Sequence, residues 1–90
     1  MIHLYRDPPD AAGKLCRVLR LMAGGDTLLL LGDGVLCAGR RDLIPEGVRI
    51  CVLGEDLAAR GLECPAGAER ISMGDLVRLV AEDPEDPVSW

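Results

Sequence analysis

Apolar residues fall in short runs along the chain, separated by stretches with helical spacing. Strands are predicted at residues 2–5, 27–31 and 48–53, with a short fourth strand at 70–71. The four leucines at 28–31 follow one another without alternation, which is typical of a strand buried on both faces of a parallel sheet. The pattern predicts an α/β fold, a small open, mostly parallel four-stranded sheet flanked by helices.

The stretches between the strands predict the helices. Leu15, Val18, Leu19 and Met22 recur on one helix face, which predicts a helix over residues 11–22 that follows Asp10 as its N-cap. Further helices are predicted at 35–38, at 54–60 and, after a capping-box sequence at 72–75, up to Pro84. Residues 1–83 are therefore interpreted as a single α/β domain, and residues 84–90 as a C-terminal tail.

Composition and charge narrow the class of protein. The 90 residues are 49% hydrophobic but only 2% aromatic, so the core must be aliphatic and a second apolar surface could be buried against another subunit. The net charge of −5 repels phosphate backbones, which argues against direct binding of nucleic acid. The chain opens on a strand-like run, and no apolar run is long enough to span a membrane. These features favour a cytoplasmic protein without membrane attachment.

The four cysteines lack the spacing of metal ligands. Cys16, Cys37, Cys51 and Cys64 form no C-x-x-C pair, and His3 is the only histidine. A zinc site of the usual spacing is therefore not encoded, and no metal or cofactor is expected. Cys51 lies in a strand predicted to be buried on both sides, which favours a structural role, and Cys64 lies in a loop.

Cys37 and Cys16 are the candidate persulfide carriers. Cys37 is predicted near the start of a short helix, where the helix terminus and the nearby Arg40 would favour the thiolate that carries sulfur. Cys16 lies at the border of an apolar helix face beside Arg17, without help from a helix terminus. For both thiols the alternative is a small buried side chain that only packs.

Three other features have structural alternatives. The turn Gly32-Asp33-Gly34 follows a buried strand, but it lacks the dinucleotide and P-loop motifs and is interpreted as a tight turn. His3 lies in a strand, where a structural hydrogen bond is expected. Trp90 carries a large apolar ring that we expect to dock on the domain or on a neighbouring subunit.

Several segments together resemble the TusB/DsrH family, in order and over essentially the whole chain. Each segment is short, and the order and spacing of the set carry the resemblance. The matching segments are Met1-Ile2-His3, Gly25-Asp26, Asp33-Gly34-Val35, Val52-Leu53-Gly54-Glu55-Asp56-Leu57-Ala58-Ala59-Arg60-Gly61, Asp75-Leu76-Val77 and Trp90.

The resemblance implies a DsrE/DsrF-like fold and a place in a hetero-oligomer with two related subunits. Such complexes relay persulfide sulfur, either towards 2-thiolation of the tRNA wobble uridine or in sulfur oxidation. Their main sulfur-accepting cysteine belongs to the TusD/DsrE-type subunit, which this chain does not resemble. Some DsrH proteins carry a cysteine on the first helix, but by ungapped counting its place here is Val18, so Cys16 matches in region and not in register.

Three hypotheses follow. The first is a non-catalytic assembly subunit of a sulfur-relay complex that uses Leu21 and Trp90 at its interfaces. The second is a sulfur carrier in its own right, with persulfide on Cys37 or Cys16. The third is a free-standing α/β domain that binds a small molecule, against which the missing phosphate motifs argue. The sequence leaves open a homo-oligomer in the absence of partners.

Overall fold

A computed structural model describes residues 1–9 and 13–90, apart from the side chain of Arg41. Five strands form one all-parallel sheet in the order β4-β3-β2-β1-β5. The predicted α/β fold is confirmed, with one strand more than expected. The strands are β1 (Ile2–Tyr5), β2 (Thr27–Leu30), β3 (Arg49–Leu53), β4 (Glu69–Ile71) and β5 (Val88–Ser89); the helices are α1 (Lys14–Arg20), α2 (Gly54–Ala59) and α3 (Met73–Glu82), with 3₁₀ helices at Gly32–Cys37 and Arg41–Leu43.

The chain fills the sheet from the middle outwards. It runs from β1 through β2 and β3 to β4 at one edge, and then returns through α3 to the far side of β1, where β5 pairs. Because parallel crossovers are right-handed, this reversal of direction places α3 on the opposite face from α1 and α2. The two hydrophobic clusters confirm that arrangement, since α1 and α2 contribute to one and α3 to the other.

The face covered by α1 and α2 holds the larger core. Tyr5, Leu28, Leu30, Ile50 and Val52 point to this face from the three central strands, and all are buried. Their spacing of two along each strand follows from the alternation of side chains in an extended chain. The α1 residues Leu15, Val18 and Leu19 close this core, as their helical spacing predicts.

The opposite face has a thinner cover. Leu29 and Cys51 are fully buried there beneath α3, which contributes Leu76, Leu79 and Val80 although none of its residues is itself buried. The predicted capping box is present, because the Ser72 hydroxyl accepts from the Asp75 backbone and the Asp75 carboxylate accepts from the Ser72 backbone. The start of α3 is therefore fixed by local sequence.

The segment predicted as a tail contains β5. Val88 and Ser89 pair with His3 and Leu4 of β1, and the Trp90 backbone N–H donates to the Leu4 carbonyl at 3.0 Å. Two residues are too few for an alternating pattern to reveal a strand.

Other boundaries differ slightly from the predictions. The helix predicted at 35–38 is the 3₁₀ helix Gly32–Cys37, which begins within the predicted turn. The segment between it and β3 contains a second short 3₁₀ helix. The helix predicted at 11–22 is the shorter α1 (Lys14–Arg20), because Gly13 before it has a left-handed backbone conformation. The predicted N-cap Asp10 lies outside the described residues. Within the described part of the chain, no helix is long and apolar enough to cross a membrane.

Candidate functional site

The two candidate thiols flank the carboxyl end of β1 from different elements. Cys16 lies on α1, and Cys37 lies at the end of the first 3₁₀ helix. Both influence the pKa of Tyr5, the last residue of β1, and both influence that of Arg40, so the two thiols share one corner of the fold.

Cys37 is inside this corner. Its side chain is only 1% exposed, and its thiol donates to the Asp7 carbonyl at 3.6 Å. Burial raises the pKa of the Cys37 thiol, and the positive charge of Arg40 offsets this only in part. The surroundings of Cys37 therefore oppose the thiolate that the sequence led us to expect. A 3₁₀ helix of six residues adds little of the dipole that was invoked.

Cys16 is the more accessible of the two thiols. It is half-buried and lines a shallow pocket of about 310 Å³ together with Arg20 and Asp42. The guanidinium of Arg40 lies within electrostatic range of Cys16, but it is paired with Asp42 at 3.4 Å. An electrophile of small size could reach Cys16 in this pocket, whereas it could not reach Cys37 in the folded state.

Tyr5 forms the floor of this corner. The side chain is fully buried, and its hydroxyl has no hydrogen-bond partner among the described residues. Burial raises the pKa of Tyr5, and the nearby Cys37 and Asp7 raise it further. The ammonium of Lys14 lies 5.9 Å from the centre of the Tyr5 ring and pairs with Asp7. The corner therefore holds a neutral phenol below the Lys14–Asp7 ion pair.

The surroundings of the other two cysteines, Cys51 and Cys64, indicate structural roles. Cys51 is fully buried in β3, and burial raises the pKa of its thiol. Cys64 is half-buried, and its thiol donates to the Ala68 carbonyl at 3.4 Å. All four thiols are free, and no group of histidine, cysteine and carboxylate side chains among the described residues could hold a metal ion.

The turn after β2 is held by the protein itself. The Gly32 N–H donates to the Asp56 carboxylate at 2.7 Å, and Asp33 pairs with Arg60 at 2.8 Å. A phosphate at this turn would meet the Asp33 and Asp56 carboxylates. Close packing explains why position 34 is a glycine, because a Cβ on Gly34 would lie 2.3 Å from the Tyr5 carbonyl oxygen. These contacts support the interpretation as a tight turn.

A buried polar network links both ends of the chain, and sequence reasoning foresaw only one part of it. His3 is 3% exposed; its Nε2 lies 3.0 Å from Asp26 Oδ2, and its Nδ1 lies 3.2 Å from the indole N–H of Trp90. The structural hydrogen bond expected of His3 is therefore present, and Trp90 docks on its own domain. The position of Asp26 directly before a buried strand was the only sequence signal for its role.

Asp26 organises the base of this network. Its carboxylate accepts from the Ala23 backbone N–H at 3.1 Å and from the Met1 amine at 3.2 Å, as well as facing His3. These contacts lower the pKa of Asp26 from 3.8 to about 2, with the Ala23 backbone bond as the largest cause and the His3 bond next. Asp26 is therefore a carboxylate at every ordinary pH.

Comparison with known proteins decides the family. The family model described as "DsrH like protein" matches residues 9–85. The chain belongs to the DsrH family. Protein TusB of Erwinia tasmaniensis is 35% identical over 97 aligned positions that cover all of both chains, and Protein TusB of Escherichia coli strain K12 is 39% identical over 100 positions with the same full coverage. Protein TusB of Shigella sonnei is 37% identical over 91% of this chain and 93% of its own. The resemblance to the TusB/DsrH family is thus confirmed.

The family model covers part of the polar network of this DsrH-family chain. Cys16, Cys37 and Asp26 lie within the matched residues 9–85, whereas His3 and Trp90 lie outside them. Leu21, the other predicted interface residue, follows α1 and is 65% exposed.

Proposed function

We propose that this DsrH-family chain is a cytoplasmic subunit of a sulfur-relay complex, with a mainly structural role in assembly. The observation that carries the proposal is its similarity to proteins named TusB along the entire length of the chain. Together with the relay role implied by the TusB/DsrH resemblance, that similarity supports partners of related DsrE/DsrF-like type.

The state of the thiols supports an assembly role. A sulfur acceptor needs a thiolate that a donor protein can reach. Cys37 and Cys51 are buried with raised pKa, and the half-buried Cys64 donates to a backbone carbonyl. Two of the four thiols therefore lack both the accessibility and the charge state that sulfur transfer requires.

Exposed apolar side chains supply the contact surfaces for such partners. Leu21 is 65% exposed at the end of α1, and Val77 is 58% exposed on the outer side of α3 beside the half-exposed Met73. These residues lie on opposite faces of the sheet, which suits a subunit that contacts two neighbours. Trp90, the other predicted interface residue, is half-buried and packs partly against its own core.

We assign the pathway to tRNA thiolation, since the similar proteins named above are all called Protein TusB. Deletion of the gene in the source organism should then lower the 2-thiouridine content of its tRNA, measured by mass spectrometry of nucleosides. An unchanged 2-thiouridine content, with impaired oxidation of sulfur compounds, would instead assign the chain to sulfur oxidation.

A second function is favoured by one specific observation, the accessible position of Cys16 beside Arg20. In this role the Cys16 thiolate attacks the terminal sulfur of a donor persulfide, forms a new S–S bond and releases the donor thiolate. No external oxidant is needed, because sulfane sulfur is only exchanged between thiols.

Persulfide loading separates the two functions. The purified chain is incubated with a cysteine desulfurase and cysteine, and adducts are mapped by mass spectrometry. The assembly role predicts no stoichiometric adduct. A stoichiometric adduct that disappears in Cys16→Ser and persists in the matched control Cys64→Ser would establish the carrier role.

A further inference from the structure

The tautomer of His3 is set by its two partners. The indole N–H of Trp90 can only donate, so Nδ1 of His3 must be the acceptor in the 3.2 Å bond. The remaining proton is then on Nε2, which donates to Asp26 Oδ2 at 3.0 Å. The neutral imidazole satisfies both contacts, and it does so in a site where His3 is 3% exposed.

Protonation of His3 breaks this match. Both ring nitrogens of an imidazolium are donors, so Nδ1–H would face the indole N–H and the hydrogen bond to Trp90 would be lost. The charge itself would be tolerated on the other side of the ring, because Asp26 is a carboxylate. The Met1 amine also contacts Asp26, and Asp83 and Glu85 lie within electrostatic range of that amine. One side of the His3 ring thus faces a carboxylate, and the other side faces a group that can only donate.

The segment that Trp90 anchors has few other attachments. β5 is a two-residue edge strand that pairs with β1. Among the described residues, the other hydrogen bonds that hold it are the Trp90 backbone bond to Leu4 and the bond from Arg6 to the Ser89 hydroxyl at 2.7 Å. Segments with so few contacts open locally at low free energy. The Trp90 side chain, packed on the larger core, is therefore the principal attachment of this strand.

We propose that His3 and Trp90 form a proton-sensitive latch for the C-terminal strand. With His3 neutral, Trp90 is docked and β5 covers the edge of β1; with His3 protonated, the open form, in which Trp90 has left and the edge of β1 is unpaired, becomes more populated. Such an edge is a surface to which another extended segment can add. The latch is independent of the proposed function, since it concerns only contacts within this chain.

Fluorescence tests the latch directly, because Trp90 is the only tryptophan in the chain. The emission of the intact protein is followed from pH 8 downwards, and far-UV circular dichroism is recorded in parallel to detect global unfolding. A nitrogen-15 spectrum follows the indole N–H at the same pH values. As the pH falls, we expect the emission to shift to the red and the indole resonance to change. Both changes should follow the uptake of a single proton, and both should occur at a higher pH than any change in the circular dichroism. Loss of one hydrogen bond implies an increase of about tenfold in the population of the open form.

His3→Gln is the matched control. The glutamine amide oxygen can accept from Trp90 and does not titrate, so the variant should keep Trp90 docked at all these pH values. A wild-type Trp90 signal that stays constant until global unfolding would overturn the latch. An identical pH profile in His3→Gln would also overturn it. If the variant does not fold, the indole resonance of the wild-type protein still decides the question.

Discussion

Replacing Asp26 with asparagine removes one charge from the network at the base of β2 while keeping the size of the side chain. The asparagine oxygen can still accept one hydrogen bond, but the ion pair with the Met1 amine is lost. The contacts that stabilise the carboxylate lower its pKa from 3.8 to about 2. We therefore expect Asp26→Asn to be less stable than the wild-type protein at neutral pH.

The pKa gives the size of this effect. A lowering from 3.8 to about 2 corresponds to an upper value of about 2.5 kcal/mol in the free energy of unfolding. The Asp26 side chain is 16% exposed and the Met1 side chain is 36% exposed, so solvent screening reduces the expected loss to about 1–2 kcal/mol.

The direction in which this stabilisation changes with pH follows from the same pKa values. A group whose pKa is lower in the folded protein stabilises it above the unfolded value near 3.8, and this contribution disappears as the pH falls through about 2. Urea unfolding followed by circular dichroism should thus show a less stable variant at pH 7 and a difference between the two proteins that shrinks as the pH falls from 4 towards 2. Equal stabilities at pH 7, or a difference that does not shrink below pH 4, would refute the role assigned to the carboxylate.

Three further predictions concern packing, thiol access and the assembly surface. Gly34→Ala places a Cβ within 2.3 Å of the carbonyl oxygen at the end of β1, so urea unfolding should show a loss of about 3 kcal/mol in the free energy of unfolding. The control Gly39→Ala has no atom within 4 Å of its Cβ and should change this free energy by less than about 0.5 kcal/mol. Similar losses in the two variants would contradict the close contact at Gly34. A maleimide should modify Cys16 at least about 100-fold faster than Cys37, because the buried Cys37 can react only after local opening of the structure. Peptide mapping at successive times measures the two rates. Equal rates would show that Cys37 is accessible in the folded protein. Leu21→Asp should leave the melting temperature of the isolated chain nearly unchanged, because the Leu21 side chain is 65% exposed. The same substitution should weaken binding to related subunits at least about tenfold, as measured by calorimetry. Unchanged binding would exclude Leu21 from the interface.

The strands that the sequence predicted best are those buried on both faces. Residues 28–30 and 50–53 are uninterrupted apolar runs, and both lie in the centre of the sheet. β5 could not be predicted in this way, because its two residues gain their place from the unpaired edge of β1 and not from a pattern of their own. Its pairing depends on the order of strands, which short-range spacing does not encode.

The candidate site was predicted in part for a similar reason. The hydrogen bond between His3 and Trp90 joins residues 87 positions apart, so no local motif announces it. The accessibility of the thiols was equally hidden. Cys37 follows a turn that packs against β1, which buries it, while Cys16 lies at the edge of α1 and stays half-buried. Burial in three dimensions, and not position along a helix, determines which thiol can react.

Co-expression with two DsrE/DsrF-like chains of the same organism tests the assembly role most directly. The complex is purified through a tag on one of those partners, and its composition is determined by native mass spectrometry. An assembly role predicts a stable hetero-oligomer that contains this chain in a fixed ratio to both partners. If this chain is absent from the purified partners and remains separate from them at micromolar concentration, its assignment as an assembly subunit is contradicted.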